Sequence, residues 1–254
     1  IQLKKLEIQN TYRNKMKYLL NYLHLLGYTV VFGAAYYIVL FYRFVPASII
    51  LGWCLYAFVT IGHDCIHGSF SPYPRLNYTL SFICMNMILM PREKWKEEHS
   101  AHHRDPGNEE DNMLLIGGNF FFELKHLLLS QRPTPLVQEL PKVPLLVGLC
   151  FLPWYCLPLV WISMLWCFMY LSLSPHITDP HLRAWDKEKL AEEIALNIFP
   201  ASHLYTFLAG GLNIHGCHHK NCKWTRSELM QEARADGYMR IDTVGKFLTL
   251  LWNR

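Results

Sequence analysis

Residues 44–67 read FVPASIILGWCLYAFVTIGHDCIH. From Phe44 to His63 there is no Asp, Glu, Lys or Arg, and the stretch then ends on His63-Asp64-Cys65-Ile66-His67. A helix that crosses a hydrocarbon core of about 30 Å needs roughly 20 apolar residues. This stretch is therefore an apolar helix of spanning length that delivers two histidines at its end. His63 and His67 stand four residues apart, so one helical face carries both.

The pattern repeats outward from that stretch. Tyr18 to Tyr42 is also free of charge, and Arg43-Phe44-Val45-Pro46 is a turn between the two runs. The first two helices thus form a hairpin. Lys4, Lys5, Arg13, Lys15 and Lys17 precede it, and by the positive-inside rule they place that end in the cytoplasm. The first run is long and lacks a small-residue cleavage site, so it reads as an anchor rather than a removable signal. Val143 to Thr178 is charge-free and too long for one helix; Pro153 and Pro158 near its middle suit a tight hairpin. Tyr78–Met90 is too short to span and suits an interfacial or re-entrant segment. Composition agrees: hydrophobic residues are 52% and charged residues 17%, whereas a large soluble helical core would keep polar faces on its helices. The expected fold is all-α and integral to the membrane. It has about four transmembrane helices in two hairpins and a histidine-rich metal-binding cap on the cytoplasmic side. One domain, 1–254, is expected, with residues 1–17 and 220–254 as cytoplasmic terminal segments. Starting at Ile1 and ending at Asn253-Arg254, the chain reads as a trimmed piece of a longer protein.

Two further windows match the first: His99-Ser100-Ala101-His102-His103 and His215-Gly216-Cys217-His218-His219, each H-x-x-H-H. Eight of the 13 histidines lie in these three windows. An even number of crossings between windows brings all three to one membrane face. Eight imidazoles are too many for one ion and the right order for two; imidazole suits iron, zinc, copper and nickel. Zinc structural sites usually include cysteine, and Cys217 with Cys222 would serve, but that reading leaves the other two windows unexplained. Glu123-x-x-His126 has no partner motif to build a carboxylate-bridged iron pair. A histidine-rich site for two Fe ions is the best account. Four of the eight cysteines lie inside apolar runs and read as small hydrophobes, so no disulfide framework is expected. No basic stripe suggests nucleic acid.

At these windows the chain resembles the membrane fatty acid desaturase superfamily, whose three histidine boxes occur here in order over roughly residues 44–220. His63 to Ser71 looks like the first box with its flank, and Gly210-Gly211-Leu212-Asn213 like the lead-in to the third. The resemblance implies a non-haem di-iron enzyme that uses O2 on a membrane-embedded lipid or acyl substrate. It also implies an external electron donor, ferredoxin or cytochrome b5-like; the chain has no dinucleotide fingerprint and no haem-binding Cys-x-x-Cys-His. The implied reaction is introduction of a double bond into a fatty-acyl chain. His67–Asn77 and His102–Asp111 also resemble carotenoid ketolases of the same superfamily, which makes oxygenation of another membrane lipid the alternative. After His219, Lys-Asn-Cys-Lys-Trp departs from both groups. A zinc-binding membrane protein without redox activity is the reading from a third class.

The candidate ligands are His63, His67, His99, His102, His103, His215, His218 and His219. The resemblance also implies a ninth ligand before the third window, expected here at His203, with His176 and His181 as alternatives. Each ligand needs an acceptor for its other ring nitrogen; Asp64, Glu98, Asp105 and Asp111 are near enough in sequence. Asp64 and Asn213 are the candidate catalytic-site residues in supporting roles. Asp64 holds a ligand ring, and Asn213 holds a ligated water or a ring, or else caps a helix. His24 reads as a packed polar residue mid-membrane and His126 as interfacial. Lys94, Trp95 and Lys96 read as an interfacial anchor or as a docking patch for an acidic donor. Phe120-Phe121-Phe122 with Leu127 to Leu129 reads as a membrane-surface segment. Asp186–Phe199 reads as an amphipathic helix striped by Leu190, Ile194 and Ile198, with Asp186 as its N-cap.

Overall fold

A computed structural model describes residues 16–87, 91–104, 143–168, 197–198, 202–235 and 240–241. Helices α1 (Leu19–Tyr42) and α2 (Ala47–His67) form the expected hairpin. The chain reverses at Arg43, which takes a left-handed conformation (φ 54°), and Pro46 opens α2. Both helices are long and apolar enough to cross a membrane. They differ in exposure. In the most apolar window of α1 17% of residues are buried, against 72% in that of α2. The buried residues of α1 form one stripe: Asn21, His24, Tyr28, Ala35 and Val39. Leu23, Leu26, Val30, Ile38 and Phe41 face outward, as a hydrocarbon solvent permits and water does not.

α2 is the central helix; α1, α3 (Pro74–Asn86) and α6 (Leu157–Cys167) pack around it. Gly52 makes the closest of these contacts. A Cβ there would lie 2.3 Å from the Val160 carbonyl oxygen, so α2 and α6 meet backbone to backbone, the use that membrane helix interfaces make of small residues. Ser163 Oγ donates to the Ile49 carbonyl across the same seam (2.7 Å). Phe168 packs beside Val59 and Met85. α6 therefore runs parallel to α2, toward its histidine end.

The run from Val143 begins as α5 (Val143–Cys150), breaks at Pro153, makes a 3-10 turn at Trp154–Cys156 and restarts as α6 with Pro158 in the first turn. Pro153 stands at the break and Pro158 in the first turn of the helix that follows. Of the four expected spans, two are found among the described residues; α5 and α6 are shorter. α3 has 13 residues, too short to span, in keeping with its reading as an interfacial or re-entrant segment. One expectation is corrected. The helix expected over Asp186–Phe199 does not reach its end, because Asn197 and Ile198 pair in parallel with Arg240 and Ile241 as a two-stranded β1–β2 ladder. The rest of that segment, with Phe120 to Phe122, His126, Leu127 to Leu129, His176 and His181, lies outside the described residues. All eight cysteines are free.

Candidate metal centre

Three helices carry the three histidine windows. α2 ends at His67. α4 (Arg92–Arg104) carries His99, His102 and His103. α8 (His215–Lys220) carries His215, His218 and His219. Helical spacing puts the histidines of each window on one side, and the fold turns these sides toward one another. One ring nitrogen from each of His63, His67, His99, His103 and His218 falls within 4.8 Å of all the others. His103 Nε2 is 3.0 Å from His99 Nε2 and 3.2 Å from His218 Nε2. A second focus adjoins it: His219 Nε2 lies 3.2 Å from His102 Nε2 and 3.1 Å from His215 Nε2. All eight histidines of the three windows thus converge, His63, His99, His102, His215 and His218 being buried.

The donor set fits a metal. Nitrogens bound at about 2.1 Å and at right angles about one ion would lie ~3.0 Å apart, close to the spacings seen. His63 Nε2 and His67 Nε2 are buried with no hydrogen-bond partner, an expensive state for a polar atom unless something binds it. The five-nitrogen group contains no sulfur and no carboxylate. Cys217 packs with Ile214, Leu229, Met230 and Ala233, outside that five-nitrogen group. Burial first, then the neighbouring imidazoles, pushes His99 and His218 well below 6.5. Both rings are therefore neutral near pH 7, the form that binds metal.

Asp64 stands where the sequence reading put it. His63 Nδ1 donates to Asp64 Oδ1 (3.0 Å), which fixes the ring's tautomer and leaves Nε2 facing the other histidines. The partner of Asp64 was not legible. Arg226, 2% exposed, donates from Nε to Asp64 Oδ2 (2.7 Å). Its other nitrogens donate to His24 Nδ1 (2.9 Å), Tyr28 Oη (3.3 Å) and Thr60 Oγ1 (3.0 Å). Burial opposes the charge on Arg226, but the Asp64 carboxylate and Tyr28 outweigh it and hold the guanidinium above its ordinary range. His24 is a packed polar residue, as expected: it is buried near the start of α1 and held by Arg226.

Local structure explains how Arg226 arrives there. Thr225 and Glu228 form a reciprocal capping box: Thr225 N donates to Glu228 Oε2 (2.8 Å) and Glu228 N to Thr225 Oγ1 (3.4 Å). Arg226 is thereby the first residue of α9 (Arg226–Ala235). Its backbone N–H donates to Asn21 Oδ1 on α1 (3.3 Å). Gly211 (φ +90°) clears the space, since a Cβ there would lie 3.1 Å from Arg226 Nε. The Thr-x-x-Glu signature was available in the sequence and would have placed a helix start at Arg226.

Other expectations are corrected. Trp95 is no interfacial anchor. It is 4% exposed and stacks on His99 with ring centroids 4.2 Å apart. His203 is exposed in the first turn of α7 (His203–Leu208), not gathered with the ligands. The short α7 docks instead through its last carbonyls: Tyr28 donates to Phe207 O (2.7 Å), Trp53 to Leu208 O (2.8 Å) and Tyr56 to Ala209 O (3.0 Å). Asn213 is buried and its Nδ2 donates to Thr206 Oγ1 (3.4 Å). It does not cap α8, whose N-cap is Ile214 with no side-chain bond.

Residues 40–130 match the family profile described as fatty acid desaturase. This interval holds the first two histidine windows and stops before the third. Over 61 residues the chain is 39% identical to the chloroplastic omega-3 fatty acid desaturase of Brassica napus, covering 24% of this chain and 15% of that protein. Identity and coverage of this chain are the same for two Arabidopsis thaliana proteins. One is the acyl-lipid omega-3 desaturase (cytochrome b5) of the endoplasmic reticulum, matched over 16% of its length. The other is the chloroplastic temperature-sensitive sn-2 acyl-lipid omega-3 desaturase (ferredoxin), matched over 14%. Over these residues the chain is similar to the fatty acid desaturases. Its relatives are enzymes by name, and the matched part is a small fraction of each. What the match leaves out, the third window, is what the fold brings against the first two. Arg226, Asn213 and His203 also lie beyond residues 40–130.

Proposed function

We propose that this chain is an O2-dependent non-haem di-iron oxidoreductase that introduces a double bond into a fatty-acyl chain in the membrane. One observation carries the reading: eight histidines from three helices converge, with bare buried nitrogens, in a chain whose matched relatives are desaturases. His63, His67, His99, His103 and His218 would hold one iron and His102, His215 and His219 would contribute to the other. Removing hydrogen from an unactivated C–H bond is beyond acid–base side chains, and bound iron supplies the oxygen chemistry that it requires. The protein's own part is to position. Asp64 orients His63, Trp95 walls His99 from water, and the apolar helices exclude water from the histidine end of α2.

Electrons come from a separate protein; relatives are named for cytochrome b5 and for ferredoxin. The whole chain is proposed as one multi-pass membrane domain of four spans, with the histidines on the cytoplasmic side. The basic N-terminus supports that orientation, and the course of α6 toward the histidine end of α2 supports an even number of crossings. The test has two arms. Detergent-purified chain supplied with iron is expected to hold about two irons, lost in His102→Ala. In a lipid-producing host it is expected to yield a new acyl double bond. Zinc in place of iron would overturn the oxygen chemistry, and a product gaining oxygen would shift the reading to carotenoid-type ketolation or hydroxylation.

A further inference from the structure

Arg226 is the largest fully buried side chain of the described residues, and nothing in desaturation as proposed above uses it. A buried cation is costly unless paired and fully hydrogen-bonded, and this one is both. Each guanidinium nitrogen has a partner: Nε on Asp64, Nη1 on His24 and Tyr28, Nη2 on Thr60. Those partners lie on two elements, α1 and α2, while Arg226 itself lies on α9. The fork geometry matters. Asp64 uses one carboxylate oxygen for Arg226 and the other for His63 Nδ1, so the orientation of the carboxylate fixes the orientation of the ring.

We propose that Arg226 is a positioning residue for the metal centre, acting through Asp64 to aim His63 Nε2 at the other histidines and tying that aim to the seating of α1. The proposal rests on the metal-binding reading. It makes the ligand set depend on a residue beyond the third histidine window. It also makes the first membrane helix part of the scaffold of the site, since His24 and Tyr28 hold the same guanidinium. Lysine keeps the charge at this position but not the planar fork.

The test uses the full chain in detergent, stripped of metal and titrated anaerobically with ferrous iron. Affinity is read by chelator competition and the thermal midpoint is read with and without iron. Arg226→Gln and Asp64→Asn are each expected to weaken iron binding by about 10- to 100-fold and to shrink the iron-induced rise in midpoint. The double variant is expected to be no weaker than the worse single, because both break one linkage. Arg226→Lys is expected to recover part of the loss. Arg226→Gln with wild-type affinity, and a midpoint lowered equally with and without iron, would overturn the proposal and leave Arg226 a structural residue. Should Arg226→Gln not fold, Arg226→Lys, Asp64→Asn and their double variant decide it: losses that add overturn the proposal, losses that do not add support it. A wild-type chain that takes up no iron would overturn the metal reading and the proposal together, an outcome distinct from failure of the proposal alone.

Discussion

At the scale of single residues, the centre separates the clustered histidines from bystanders by burial and direction rather than by residue type. His218 is buried with its Nε2 3.2 Å from that of His103, whereas His203 is exposed on α7. His218→Ala is therefore expected to lose most of the bound iron and His203→Ala to retain it, measured as iron per chain after purification. Iron lost in His203→Ala would restore it as a ligand. A pH dependence follows from the neutral rings. His99 and His218 are held below 6.5 in the folded chain, so between their folded values and 6.5 the unfolded chain binds more protons. Stability of the metal-free protein is thus full above 6.5 and falls as pH drops below it. The slope is about 1.4 kcal/mol per pH unit for each histidine that stays neutral. Thermal midpoints across pH 5 to 8 check this, and a flat profile would contradict it. The eight clustered histidines were legible because helical spacing puts those of each window on one side of their helix, and Asp64 because it adjoins His63 in the sequence. Trp95 was misread although it stands four residues before His99 on the same helix; lysines on either side suggested an interface, and packing on the ring decided otherwise. Arg226 was not legible through its partner, since its contact with Asp64 joins positions 162 apart.

At the scale of elements, the first hairpin was readable and the helix lengths after it were not. Charge-free runs and prolines announce where the chain enters and reverses, but an apolar run does not say where packing stops a helix. Gly52 shows the difference. In sequence it is one small residue in an apolar run; in the fold it is the point where α2 touches the Val160 carbonyl. Gly52→Ala has no room, and overpacking of this kind costs about 1–3 kcal/mol. Gly33→Ala on exposed α1 meets nothing within 4 Å and relieves the helix of a residue that costs about 1 kcal/mol relative to alanine. The expected result is a lower thermal midpoint for the first variant and an unchanged or higher one for the second. Equal midpoints would mean that α2 and α6 do not meet as described. The α7–α8 segment was only half legible. Its Gly210-Gly211 pair marks a turn, but the three aromatic donors that hold α7 come from α1 and α2, far away in sequence.

At the scale of the whole molecule, the site exists only if the chain crosses the membrane an even number of times between windows. α2 carries the first window to its end, and α3, too short to span, returns the chain to the same end for the second. The third depends on the segment after α6. Since α6 runs parallel to α2, it approaches the histidine end, and α8 is found there with its rings against those of α2 and α4. Arg43, in the turn between α1 and α2, marks the opposite end; Arg75 at the start of α3 and Lys223 after α8 mark the histidine end, and all three are exposed. Single cysteines at these positions, in a chain with its native cysteines replaced, can be labelled in sealed cells with a membrane-impermeant thiol reagent. Arg43→Cys is expected to react from outside, and Arg75→Cys and Lys223→Cys only after the membrane is opened. Joint reaction of Arg75→Cys and Lys223→Cys from outside would reverse the orientation yet keep the site on one face. Reaction of Lys223→Cys on the same side as Arg43→Cys would put the third window across the membrane from the first two, and neither the histidine cluster nor the Arg226–Asp64 pair would survive that result.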